Sequence, residues 1–143
     1  MKNFVGVDYF NIEGLLTEEQ RLVRNTVRKF VETDVLPIIK EAFEAGRFPT
    51  ELIPTMAKLG LLGATLKEYG GAGIDAIAYG LAMQELERGD SGVRSFCSVQ
   101  NGLVIYPIYT FGTPRQKDRW LPGLIRGDLI GCFGLTEPGH GSD

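Results

Sequence analysis

The sequence predicts an all-α domain, a helical bundle over residues 1–127, followed over 128–143 by the opening strand and loop of a β-domain. Three observations carry that prediction. Up to Gly127, apolar residues recur at three- and four-residue spacing behind recognisable helix caps. Past Gly127 the period changes and glycines crowd in. The size, 143 residues with 43% hydrophobic and a formal net charge of −3, suits one ordinary folded domain.

The elements follow in order. Thr17-Glu18-Glu19-Gln20 has the form of a capping box, and Leu22, Val23, Val27, Phe30 and Val31 then line one helical face. Pro37 should kink or interrupt this first helix, because it lacks a backbone donor and clashes with the preceding turn. Ile38, Ile39, Ala42 and Phe43 carry the apolar pattern on to Gly46, a C-terminal stop. A second helix is expected from about Glu51 to Leu59, capped by Thr50, with Pro54 in its first turn and Gly60 as terminator. Lys67 to Gly73 is a loop by composition. Asp75 opens a third helix to about Arg88 with Ile77, Leu81 and Leu86 inward. Ser91 is expected to cap a fourth, whose Val93, Phe96, Cys97, Leu103 and Val104 are too many for a surface helix. Thr113-Pro114-Arg115-Gln116 starts a short helix to about Leu121, continued from Pro122 to Arg126 and stopped by Gly127.

Leu129, Cys132, Phe133 and Leu135 then read as one short strand, Leu129 to Leu135. A lone strand has no partner for its ladder, so the chain is expected to continue beyond Asp143. Composition narrows function as well. No apolar run approaches the roughly 18 residues of a membrane span. No basic stripe marks a nucleic-acid surface. Cys97 and Cys132 form no CxxC pair and read as reduced, buried core fillers of a cytosolic protein. With His140 the only histidine, no metal site is expected.

Glycine is enriched, 19 of 143, about 13% against a usual 7% or so, and its second cluster runs from Gly131 to Gly141. There Phe133 and Leu135 offer an apolar pair beside the Thr136 hydroxyl. Pro138 stiffens the exit, while Gly139 and Gly141 let backbone amides approach a ligand, with the Ser142 hydroxyl at the far end. Such a surface suits a flat heteroaromatic with one polar edge and a phosphate nearby. The residues alone also fit a plain Gly/Pro turn.

Leu135-Thr136-Glu137-Pro138-Gly139-His140-Gly141-Ser142-Asp143 closely resembles the T-E-P-x-x-G-S-D signature of acyl-CoA dehydrogenases. Leu59 to Gly63, Tyr69 to Gly73, Gln84 to Arg88 and Tyr109 to Lys117 are similar to that family in the same order. The stretches Glu87 to Gln100 and Gly131 to Thr136 are most similar to its glutaryl-CoA branch. The resemblance implies non-covalent FAD, bound by Phe133, Gly134, Leu135, Thr136, Glu137, Pro138, Gly139, His140, Gly141 and Ser142, with His140 as loop rather than base or ligand. It also implies that Arg94, Ser95 and Ser98, with Ser142, contact the substrate, Arg94 gripping a distal carboxylate and Glu87 orienting it. An arginine in an apolar helix needs an anion, although an internal ion pair with Glu87 or Asp90 would also supply one.

The reaction so implied is α,β-dehydrogenation of an acyl-CoA, with glutaryl-CoA losing CO₂ to give crotonyl-CoA in most relatives. A glutamate base is expected beyond Asp143, so no catalytic base lies within the 143 residues and they alone should not turn over. Electrons would pass to an electron-transfer flavoprotein from a homotetramer working in amino acid degradation. That enzyme would be cytoplasmic, or in the mitochondrial matrix if an upstream transit peptide has been removed. Two other readings stand beside it: a short- or branched-chain acyl-CoA dehydrogenase without carboxylate specificity, and a non-catalytic helical module binding CoA or a protein.

Overall fold

In the computed structural model, which describes residues 7–141, the helical bundle expected from the sequence is formed. Its α-helices are α1 (Glu18–Phe30), α2 (Leu36–Glu44), α3 (Ile53–Lys58), α4 (Ala76–Gly89), α5 (Ser91–Val99), α6 (Tyr106–Phe111) and α7 (Pro114–Ile125). Local chemistry starts three of them as anticipated. Thr17 and Thr113 close reciprocal capping boxes with Gln20 and Gln116. The Asp75 carboxylate accepts the Ala78 N–H at 2.7 Å and also takes the Gln20 side-chain amide at 2.8 Å, tying α4 to α1.

Several expectations need correction. Asp90, not Ser91, caps α5: its carboxylate accepts from Val93 N at 2.8 Å, while the Ser91 hydroxyl donates to Glu87. Thr50 caps nothing; it opens a 3-10 turn, Thr50–Leu52, that leads into α3. Pro122 does not divide the last helix, which runs through it to Ile125. Ile77 and Leu103, expected inside, are 56% and 45% exposed.

Pro37 is accommodated without a break. A π-helical turn, Val31–Val35, precedes it and widens the backbone where the proline ring would meet the carbonyl of Thr33. The Thr33 hydroxyl donates back to Lys29 O at 2.9 Å in that turn. Pro107 repeats the arrangement: a second π-turn, Gln100–Ile105, joins α5 to α6 immediately before it.

Two apolar clusters hold the bundle. Val27, Phe30, Val31, Val35, Leu86, Val93 and Cys97 interlock α1, the first π-turn, α4 and α5. Ile53, Leu62, Leu66, Val104, Ile105, Leu121 and Leu124 seat α7 against the second π-turn. Gly60 and Gly127 end α3 and α7 in the left-handed region, with φ of +71° and +74°, a conformation glycine adopts at no steric cost.

One carboxylate is buried inside this frame. Glu85, 2% exposed, accepts from Arg28 at 2.6 and 3.2 Å and from Arg88 at 2.9 Å. Burial pushes its carboxyl up, but the two guanidinium groups pull it down further, leaving it below its ordinary 4.5. Because the folded value lies under the unfolded one, the stabilisation is complete above about pH 4.5 and is lost as pH falls through the folded value. Glu85→Gln is expected to cost about 1.5–3 kcal/mol at pH 7, the worth of hydrogen bonds to charged partners. It should also flatten the acid side of the stability profile, measured as urea midpoints from pH 7 down to well below pH 4.5.

The strand expected over Leu129–Leu135 is not formed among the described residues. The one β-bridge among them pairs Glu137 with His140 across Pro138-Gly139. With no second strand to exchange bonds with, the amides of residues 132–136 make no hydrogen bond among the described residues. Cys132, expected to be buried, is exposed for the same reason, while Cys97 is fully buried.

Candidate functional site

The two groups of residues singled out in the sequence lie on different elements. Arg94, Ser95 and Ser98 occupy the middle of α5. Asp90 fixes the start of that helix, and burial of Val93 and Cys97 fixes its rotation, leaving Arg94 half-buried. The Arg94 Nε donates to Glu87 Oε2 at 2.5 Å, and its Nη1 reaches the Ser98 hydroxyl at 3.4 Å. Ser98 in turn donates to the Ser95 carbonyl at 3.0 Å, so its oxygen lone pairs face the guanidinium. Glu87 also accepts from Ser91 at 2.9 Å, and the Arg94 and Ser91 bonds hold its carboxyl below the ordinary range.

Glu87 therefore grips Arg94 at one nitrogen. Nη2 makes no hydrogen bond among the described residues, and the contact of Nη1 is long. A guanidinium held this way presents its Nη1–Nη2 edge, the pair of donors that matches a carboxylate bidentately.

The second group is the loop. Phe133 and Leu135 are exposed, and the Thr136 hydroxyl makes no hydrogen bond among the described residues. At Gly134, Gly139 and Gly141 an added Cβ would meet nothing within 4 Å. Free amides, a hydroxyl and two apolar side chains on an open backbone fit a flat ring with a polar edge, the shape of a flavin isoalloxazine. Ser142, the remaining predicted contact, lies outside the described residues.

Gln100 links the groups, and sequence reasoning missed it. Its carboxamide takes both hydrogen-bonding groups of Gly131: Nε2 donates to Gly131 O at 2.8 Å, and Gly131 N donates to Oε1 at 3.0 Å. The available signal was two consecutive amides, Gln100-Asn101, just ahead of the apolar run Leu103-Val104-Ile105. Among the described residues no group of three or more His, Cys, Asp and Glu is placed to hold a metal, and no helix is long and apolar enough to cross a membrane.

The capped helical bundle is the N-terminal domain of a dehydrogenase family. The family model described as acyl-CoA dehydrogenase, N-terminal domain, matches residues 17–128, and the chain belongs to that family. Among solved structures it is similar to a glutaryl-CoA dehydrogenase from Mycobacterium smegmatis in complex with FADH2. That likeness has 49% identity and a TM-score of 0.90, over 94% of this chain and 35% of that one. It is also similar to butyryl-CoA dehydrogenase from Megasphaera elsdenii, with 38% identity and a TM-score of 0.79, over 88% of this chain and 34% of that one. The mitochondrial short-chain specific acyl-CoA dehydrogenase of Bos taurus is 41% identical over 129 residues, 90% of this chain and 31% of the relative. The chain spans about a third of the length of the relatives it matches.

Proposed function

We propose that this chain is the N-terminal part of an FAD-dependent acyl-CoA dehydrogenase that acts on glutaryl-CoA. The observation that carries the substrate assignment is Arg94, monodentate to Glu87, with only a long Nη1 contact to Ser98 and no hydrogen bond at Nη2 among the described residues. On this reading the Nη1–Nη2 edge binds the distal carboxylate, while Ser95 and Ser98 line the acyl end. Phe133, Leu135 and Thr136 lie against the flavin ring, residues 137–141 complete the FAD contacts, and Ser142 is assigned to the pyrophosphate and the substrate. FAD, when bound, supplies the two-electron acceptor for oxidation of the α,β carbon–carbon bond. This chain's residues orient and desolvate the substrate; the proton-abstracting glutamate comes from outside residues 1–143. The complete protein is a homotetramer that passes electrons to an electron-transfer flavoprotein, and decarboxylation to crotonyl-CoA follows oxidation. We assign it to amino acid degradation in the cytoplasm, or in the mitochondrial matrix where a transit peptide has been removed.

A second reading has its own support. Arg94 already has a partner in Glu87, and the likeness to butyryl-CoA and short-chain enzymes is substantial. On that reading the ion pair is internal and a plain short acyl chain is the substrate. Full-length protein purified with its flavin separates the two. The expected result is about one FAD per chain and a kcat/KM for glutaryl-CoA at least about tenfold above that for butyryl-CoA, since one charge-assisted pair is worth about 1.5–3 kcal/mol. A colourless protein that stays colourless with added FAD would remove both readings in favour of a non-catalytic module.

A further inference from the structure

We propose that Gln100 is a positioning residue that sets where the flavin-lining segment begins. This rests on the reading of Phe133, Leu135 and Thr136 as flavin contacts. Gln100 is 2% exposed, yet both ends of its carboxamide are engaged by the backbone N–H and C=O of a single residue, Gly131. The arrangement reproduces the paired N–H and C=O exchange of an antiparallel strand neighbour. A side chain thereby takes the place of the missing ladder partner at one residue. Past Leu129, these are the only hydrogen bonds that join residues 130–141 to the helical body among the described residues.

The close approach has a second requirement. A Cβ at position 131 would stand 2.3 Å from Val104 Cγ1, so only glycine lets the segment press against the π-turn. Val104 and Gln100 both belong to that turn, Gln100–Ile105, which continues directly from the helix carrying Arg94. Gln100 lies six residues beyond Arg94, a rise of about 9 Å along the helix. Phe133 follows Gly131 by two residues, so it can move at most about 7 Å from that anchor. One rigid element thus carries the carboxylate-binding cation at one point and the anchor of the flavin wall at another. The clamp fixes the distance between ring and acyl chain, and near-attack geometry is sensitive to errors of about 1 Å.

The test uses full-length flavoprotein with Gln100→Met, which keeps the volume and removes both bonds, and Gln100→Glu, which keeps one acceptor. The wild type must first show bound FAD and substrate-dependent bleaching; if it does not, the flavin reading fails and the Gln100 proposal with it. Given that, Gln100→Met is expected to raise the FAD dissociation constant about tenfold, the worth of two ordinary hydrogen bonds. Single-turnover flavin reduction should slow about tenfold or more through the altered geometry, with the acyl-CoA dissociation constant within about twofold of wild type. Gln100→Glu should fall between. Wild-type FAD affinity and reduction rate in either folded variant, or a loss confined to acyl-CoA binding, would overturn the proposal. Loss of wild-type helix content in both variants would also overturn it, by making Gln100 a core residue only.

Discussion

Replacing Arg94 with glutamine is expected to lower kcat/KM for glutaryl-CoA by on the order of 10²–10³ while leaving butyryl-CoA within about threefold. The magnitude follows from losing one partner of a hydrogen-bonded charge pair in a partly desolvated site, about 3–4 kcal/mol at about 1.4 kcal/mol per decade. Selectivity follows from the substrates: butyryl-CoA brings no distal carboxylate, so it gains nothing from the cation. The structure explains why glutamine cannot compensate. Glu87 takes Nε, and Ser98 lies 3.4 Å from Nη1. The remaining guanidinium edge supplies two parallel donors, which a single amide nitrogen does not reproduce in that direction. Arg94→Lys keeps the charge as a point and should retain an intermediate share of the preference. Glu87→Gln should cost less than Arg94→Gln, since it loosens the cation without removing it. Steady-state kinetics on both thioesters decides the matter. An equal fall on both would make the ion pair internal and support the short-chain reading.

How far the sequence reaches depends on the range of the interaction that decides each feature. The caps at Thr17, Asp75 and Thr113 were readable because donor and acceptor sit within three residues of each other. The cap of α5 is not readable to the residue for a related reason. Asp90 and Ser91 are both good caps, and only the backbone geometry decides which oxygen meets the Val93 N–H. Pro37 announced a disturbance but not its form, since a π-turn and a kink are alternative answers to the same clash. The strand failed for a tertiary reason: its ladder needs a neighbour, and the residues gave a pattern without one. Gln100 and Asn101 stand out as a pair of amides, but their roles are not readable because their partners lie 31 residues ahead in one case and 37 and 40 behind in the other. The reading of the loop rests on resemblance and not on geometry: Gly134, Gly139 and Gly141 stand in open space and Phe133 and Leu135 are exposed, a pattern that a plain turn also allows.

Asn101→Leu is expected to release the turn that follows α3, with a local loss of about 3–4 kcal/mol. Asn101 is buried in the second π-turn. Its Oδ1 accepts from Ala64 N at 2.9 Å, and its Nδ2 donates to Leu61 O at 2.7 Å and to Cys97 O at 2.8 Å. Leu61, Leu62 and Ala64 are themselves buried, so water cannot replace these bonds without opening the core. Leucine matches the volume but leaves the Ala64 N–H with no acceptor, the costly half of the exchange. Leu61 O keeps one donor, the Cys97 thiol at 3.3 Å. Burial pushes that thiol up to about 12, which keeps it protonated and unreactive in the closed state. Cys97 therefore reports on the turn, while exposed Cys132 serves as an internal control. In the Asn101→Leu protein, alkylation of Cys97 should accelerate by about 10²–10³, the Boltzmann factor of the lost local free energy, with Cys132 labelling unchanged. If Cys97 stays protected at the wild-type rate, the amide is not what holds this turn closed.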